Sequence, residues 1–210
     1  MPSVFIRTTG CNLRCVWCDT PYTSWKPQGE EWSVREILAE VKGYPTPFVV
    51  VTGGEPLLSP KINELTQKLK KANYHVTIET AATIFKPVAC DLLSMSPKLS
   101  NSTPWKRARG KFAKMHEEHR LNLPVIEKFM EGHDYQLKFV VEQRRDFSEI
   151  RGILKRLKNV DSARVLLMAQ GKTKRELSKR APWIVDLCKK YGFRYTPRLH
   201  IELYGNRRGT

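Results

Sequence analysis

Ser3-Val4-Phe5-Ile6-Arg7-Thr8-Thr9-Gly10-Cys11-Asn12-Leu13-Arg14-Cys15-Val16-Trp17-Cys18 is the stretch from which the fold is read. Val4 to Arg7 is a short β-prone run, and it leads straight into a loop with three cysteines at the spacing C-x3-C-x2-C. Three thiolates so spaced can close on three irons of a cubane and leave the fourth iron open to a cofactor. A structural zinc site would need a fourth cysteine or histidine at a short, regular spacing. The next histidine is His75 and the next cysteine is Cys90, so the cluster is the reading that fits.

Outward from this loop, β-rich runs recur at Phe48 to Thr52, His75 to Glu79, Asp91 to Met95, Gln136 to Val141 and Ala163 to Met168. Helical patterns separate them, so the fold class is α/β with a parallel sheet. Ser33-Val34-Arg35-Glu36 is a capping box, and Ser59-Pro60 predicts a cap and first-turn proline for a helix with Ile62, Leu65 and Leu69 on one face. Further helices are predicted over Asp146 to Leu157 and Lys174 to Tyr191. Six β/α units fall short of the eight of a closed barrel of about 250 residues, which predicts an open, partial (β/α)6-type barrel. The 210 residues suit a single domain, 1–210. A basic stretch near 100–122 interrupts the alternation and reads as an insertion with solvated charge.

Hydrophobic residues at 40% and charged residues at 28% are ordinary for a soluble globular protein. No apolar run reaches the roughly 18 residues of a spanning helix, and the N-terminus lacks a signal-peptide layout, so the expected location is cytoplasmic with no membrane partner. Five cysteines, three of them packed between positions 11 and 18, do not form an extracellular disulfide framework. Cys90 and Cys188 stand in apolar stretches and read as buried hydrophobes. The net charge of +16 suits an anionic substrate or nucleic acid. No RNA-binding motif is recognisable, however, and aromatics are not interleaved with the basic residues as a stacking platform requires, so no specific nucleic-acid partner is expected.

A second motif, Thr52-Gly53-Gly54-Glu55-Pro56, follows the Phe48 to Val51 run at the end where β/α folds place their sites. Paired glycines allow close approach of backbone to a ligand. With the cysteine loop, this resembles the radical S-adenosylmethionine (SAM) superfamily. That resemblance implies a [4Fe–4S] cluster on Cys11, Cys15 and Cys18, with SAM chelating the unique iron. It also implies Trp17 beside the adenine and Gly53, Gly54 and Glu55 at the SAM amino group.

Within the superfamily the chain is similar to the 7-carboxy-7-deazaguanine synthases. The matching runs are Pro2 to Arg7, Gly10 to Leu13, Cys18-Asp19-Thr20, Thr52 to Leu58, Glu79-Thr80, Ser96-Pro97-Lys98, Lys138 to Val141, Pro197 to His200 and Tyr204-Gly205. The resemblance implies contraction of 6-carboxy-5,6,7,8-tetrahydropterin to 7-carboxy-7-deazaguanine with loss of ammonia, on the route to queuosine and related deazapurines. It further implies Mg²⁺ on Thr20, substrate contacts from Arg7, Thr52 and His200, and a SAM site lined by Ser96, Lys98, Met168 and Gln170. Lys138 starts an apolar strand and either enters the site or snorkels from the rim. A flavodoxin- or ferredoxin-type electron donor and a homodimer belong to the same expectation.

The resemblance also implies about twenty residues ahead of Pro2, with a Gln-Gly-Glu-Gly loop on the substrate; this chain starts at the end of that region, either downstream of the true start or as a short form. Ala81-Ala82 after Glu79-Thr80 and Ala169 replace the family's usual Asn-Gly and proline. The rival readings are a glycyl-radical-enzyme activase, which shares the cysteine spacing, a radical SAM enzyme acting directly on tRNA, and a non-enzymatic basic RNA-binding module.

Overall fold

The computed structural model describes residues 1–208. Its centre is a sheet of seven parallel strands in the order in which they occur along the chain: β1 (Val4–Thr8), β2 (Phe48–Gly53), β3 (His75–Thr80), β4 (Leu92–Met95), β5 (Tyr135–Val141), β6 (Val165–Ala169) and β7 (Arg194–Tyr195). β1 and β7 are its edges, so the barrel is open as predicted. Six of the strands fall where the sequence predicts them; the seventh is a two-residue strand pairing Leu166 with Arg194 and Leu167 with Tyr195.

Among the described residues eight α-helices accompany the strands: α1 (Pro21–Ser24), α2 (Val34–Lys42), α3 (Ile62–Lys71), α4 (Ala113–His119), α5 (Leu123–Gly132), α6 (Asp146–Arg156), α7 (Lys174–Tyr191) and α8 (Leu199–Tyr204). α2 carries the predicted capping box, with Ser33 Oγ accepting from Glu36 N–H and the Glu36 carboxylate accepting from Ser33 N–H. Thr173 and Glu176 repeat that device at α7, which ends on Gly192 in the left-handed region. The Ser59-Pro60 start does not hold. Glu55 instead caps a 3-10 turn over Pro56–Leu58 that ends at Ser59, and α3 begins two residues beyond Pro60 with no side-chain cap.

Side chains alternate across a strand, and the alternation sorts them here by chemistry. Val4 and Ile6, Val49 and Val51, Val76 and Ile78, Leu93 and Met95, Leu137 and Phe139, and Val165 and Leu167 all belong to the apolar core. The alternate positions share the other, concave face, and toward its C-terminal rim they are polar: Arg7, Thr52, Glu79, Ser94, Gln136 and Lys138. Register brings neighbours on this face side by side, Arg7 beside Thr52 and Glu79 beside Ser94. Among the described residues no helix is long and apolar enough to cross a membrane.

The basic stretch near 100–122 exposes most of its charges, Lys106, Arg109, Lys111 and Lys114 among them, and also packs inward. It folds into 3-10 turns at Ser100–Ser102 and Arg107–Gly110 followed by α4, and it buries Ser102, Thr103, Ala113 and His116. It lies against the cysteine loop, with Val16 N–H donating to Ser102 C=O at 2.7 Å and Arg107 donating to Val16 C=O at 2.9 Å. The basic composition of this stretch hides the few inward side chains that hold it down. Of the isolated cysteines, Cys188 is buried and Cys90 is partly buried against the core, as predicted.

Candidate active site

Gly10 joins the end of β1 to the turn after β2. Its N–H donates to Thr23 C=O at 2.9 Å and its C=O accepts from Glu55 N–H at 2.9 Å, while Gly54 N–H donates to Thr8 C=O. Gly54 is required there, because a Cβ would stand 2.1 Å from the Gly10 carbonyl oxygen. The two motifs singled out in the sequence are therefore one structural unit at the C-terminal rim of the sheet.

Cys11, Cys15 and Cys18 are all free thiols, gathered with Leu13, Trp17 and Ala81 in a small apolar cluster separate from the main core. Burial pushes Cys11 up to about 11 and Cys15 up to about 12, Cys18 raises both and Cys11 raises Cys15, and Lys98 works in the opposite direction. Among the described residues no three His, Cys, Asp or Glu side chains close around a single ion. A cubane places each thiolate on a different iron, so this donor set of three thiols without a fourth ligand fits a [4Fe–4S] cluster better than a mononuclear metal. Leu13 N–H donates to Cys11 Sγ at 3.3 Å, a contact that favours the thiolate.

Glu55 is held by donors of the chain itself. It is 1% exposed, and its carboxylate accepts from Thr80 Oγ1 at 2.7 Å, Ala81 N–H at 2.8 Å and Leu57 N–H at 3.1 Å. Burial raises its pKa against these three donors. It ties the end of β2 to the end of β3. Trp17 donates its indole N–H to Asn101 C=O. Ser96 is buried, and both its Oγ and its carbonyl accept from Lys98 Nζ at 2.8 Å. Met168 lies on the concave face opposite Val140, and Gln170 is buried just beyond it.

On the concave face, Glu79 bridges Lys138 Nζ at 2.6 Å and Thr52 Oγ1 at 3.1 Å. The Lys138 ammonium, with help from Arg7, holds the Glu79 carboxyl below its usual range despite burial. Lys138 thus enters the face rather than snorkelling from its rim. Arg7 has no carboxylate paired with it among the described residues. His200, on α8, is lowered by burial and by Arg198 and Arg7, while Asp19 and Glu79 act the other way, which brings the tail to the same site. Thr20 precedes α1, but its hydroxyl makes no capping bond; it accepts from Thr23 Oγ1 at 3.3 Å and lies 3.8 Å from Cys18 Sγ.

Three site residues were not predicted: Asp19, Arg198 and Glu79. Arg198, 7% exposed, pairs with Asp19, and its Nε is buried without a partner. Their signal in the sequence is a charge where the pattern calls for an apolar or neutral residue: Glu79 inside a β-run, Asp19 directly after the last cysteine.

The radical SAM superfamily profile matches residues 5–100. The 7-carboxy-7-deazaguanine synthase of Rhodopirellula baltica is 43% identical over 209 residues, covering 99% of this chain and 81% of the relative. That of Halobacterium salinarum is 40% identical over 215 residues, covering 98% and 84%. In structure the chain is similar to QueE from Escherichia coli, with a TM-score of 0.67 at 24% identity over 94% of this chain and 85% of that one, a likeness in fold. From identity at this level over nearly the whole length, the chain belongs to the 7-carboxy-7-deazaguanine synthase family of the radical SAM superfamily.

Proposed function

We propose that this protein converts 6-carboxy-5,6,7,8-tetrahydropterin to 7-carboxy-7-deazaguanine with loss of ammonia, as an enzyme of deazapurine biosynthesis. The observation that carries the reading is the meeting, at one rim, of the three-cysteine loop with a polar concave face that holds an unpaired guanidinium, Arg7, beside the Glu79–Lys138 pair. Membership of the radical SAM superfamily implies a [4Fe–4S] cluster and SAM, which when bound supply a 5′-deoxyadenosyl radical able to remove a hydrogen atom from substrate.

This chain's own residues supply the rest. Cys11, Cys15 and Cys18 hold the cluster, and Gly53-Gly54, Trp17, Ser96, Lys98, Met168 and Gln170 form the SAM side. Arg7 takes the substrate carboxylate in a bidentate contact. Thr52 and His200 add hydrogen bonds, and Glu79 offers its carboxylate to the pterin N–H groups while Lys138 keeps it ionised. Thr20 offers its hydroxyl oxygen to Mg²⁺, a hard cation that takes oxygen ligands; a hydroxyl not engaged in capping supports that role. A flavodoxin- or ferredoxin-type electron donor and a homodimeric assembly complete the proposal. The named relatives favour this reading over a glycyl-radical activase, a tRNA-acting enzyme or an RNA-binding module.

The test is anaerobic reconstitution with SAM, Mg²⁺, a reductant and the carboxytetrahydropterin, followed by mass spectrometry. Formation of 7-carboxy-7-deazaguanine together with 5′-deoxyadenosine is the expected result. Formation of 5′-deoxyadenosine without the deazapurine would refute the substrate and leave the radical chemistry.

A further inference from the structure

The cysteine loop is short, irregular and partly buried, and such a loop must find partners for its backbone N–H groups outside itself. One is found in an unexpected place. Arg14 N–H, between the first two cysteines, donates to His116 Nδ1 at 3.0 Å. His116 lies on α4, 102 positions along the chain, and is 0% exposed.

The partners of the ring fix its state. A backbone N–H can only donate, so Nδ1 must be the bare, accepting nitrogen. Nε2 lies 2.9 Å from Ser102 Oγ, and that hydroxyl already donates its own proton to Leu99 C=O at 2.6 Å. Ser102 Oγ must therefore accept, and Nε2 must carry the hydrogen. The histidine is neutral, in one tautomer, and acts as a rigid spacer between the cysteine loop and the turn at Ser100–Ser102. The same turn grips the loop twice more, through Val16 N–H on Ser102 C=O and Trp17 Nε1–H on Asn101 C=O.

We propose that His116 is a positioning residue for the cluster: by accepting from Arg14 N–H it holds the backbone between Cys11 and Cys15 in the course that lets both thiolates reach one [4Fe–4S] core. The inference rests on the cysteine assignment above. Second-sphere partners of this kind typically govern metal retention by about 10–100-fold, because they set ligand orientation without touching the metal.

His116→Phe keeps the ring volume and removes the acceptor; His116→Asn keeps an acceptor, Oδ1, at the position of Nδ1; Ser102→Ala removes the acceptor that anchors the Nε2–H side of the ring. Each is reconstituted anaerobically, and iron release to a chelator is timed alongside the electron paramagnetic resonance spectrum of the reduced cluster. Release about tenfold faster in H116F, with a shifted spectrum, and recovery toward wild type in H116N are expected. In the metal-free wild-type protein, ¹⁵N resonances of the ring should report the Nε2–H tautomer. Wild-type release and spectrum in a folded H116F, or the Nδ1–H tautomer in the metal-free protein, would overturn the assignment. Should H116F not fold, the other two variants decide it: S102A must lose iron faster than H116N, and equal or reversed rates overturn the role. A wild-type protein that takes up no cluster overturns the cysteine assignment first, and the inference with it.

Discussion

Gly54→Ala is the substitution whose outcome the structure fixes most tightly. A Cβ at this position would stand 2.1 Å from the Gly10 carbonyl oxygen, 2.7 Å from the Gly10 carbonyl carbon and 2.7 Å from the Thr23 carbonyl oxygen, against ordinary contact at 3.4–4 Å. All three are backbone atoms, so no side chain can swing aside. The Gly10 carbonyl is also the acceptor for Glu55 N–H at 2.9 Å, so the methyl group must push apart the cysteine loop and the glycine pair or break that bond. Overpacking typically costs about 1–3 kcal/mol, and the immobile neighbours place this site at the upper end, about 3 kcal/mol. For a chain of this length each kcal/mol lowers Tm by about 2–4 °C, so a drop of about 6–12 °C is expected in thermal unfolding of the metal-free protein. Iron uptake on reconstitution should fall in parallel. At a site with room for it, glycine to alanine stabilises by about 0.4–1 kcal/mol through the unfolded chain. An unchanged or raised Tm would therefore refute the contact between the two motifs.

Other outcomes follow from the same geometry. Arg198→Ala leaves Asp19 without its partner; breaking a buried pair costs about 3–5 kcal/mol, and with Asp19 one-third exposed about 2 kcal/mol is expected here, read as a lower Tm; an unchanged Tm would remove the pair from the stability of the site. Lys138→Met removes the main influence that holds the Glu79 carboxyl low, so the acid limb of the pH–rate profile should move to higher pH; an unmoved limb would remove Glu79 from the working site. His116, lowered by burial from 6.5 to about 4, stays neutral in the folded chain while the unfolded chain takes up a proton. Its contribution is thus complete above pH 6.5 and is lost as pH falls toward 4, by about 3 kcal/mol in all. Denaturant titrations of wild type and H116N across that range should differ by a comparable amount.

Much of the fold is legible in the sequence because its strands are β-branched and aliphatic runs in register with their neighbours; six of seven were placed from that signal alone. β7 has two residues and no periodicity to detect. The α3 start is not legible because Ser59-Pro60 looks like a cap, whereas Glu55, four residues earlier, caps a 3-10 turn there. The cysteine and glycine motifs announce themselves by spacing. Glu79, Lys138, Asp19 and Arg198 do not: their meaning lies in pairings across strands and between the two ends of the chain, which only the register reveals. The segment near 100–122 is the sharpest case, since its composition describes its exposed face and its packing on the cysteine loop depends on the few residues turned inward.

We infer that the hydrogen atom removed comes from the carboxylate-bearing carbon of the tetrahydropterin, beside the carboxylate that Arg7 would hold. The direct measurement uses substrate deuterated at that carbon, turned over anaerobically with SAM, Mg²⁺ and reductant, and reads the isotope content of recovered SAM and 5′-deoxyadenosine by mass spectrometry. Because substrate and product differ by ammonia alone, the hydrogen taken is returned within turnover, so deuterium at the 5′ carbon of recovered SAM and of any 5′-deoxyadenosine, with 7-carboxy-7-deazaguanine formed, is the predicted result; unlabelled 5′ carbons alongside unconsumed pterin would contradict it.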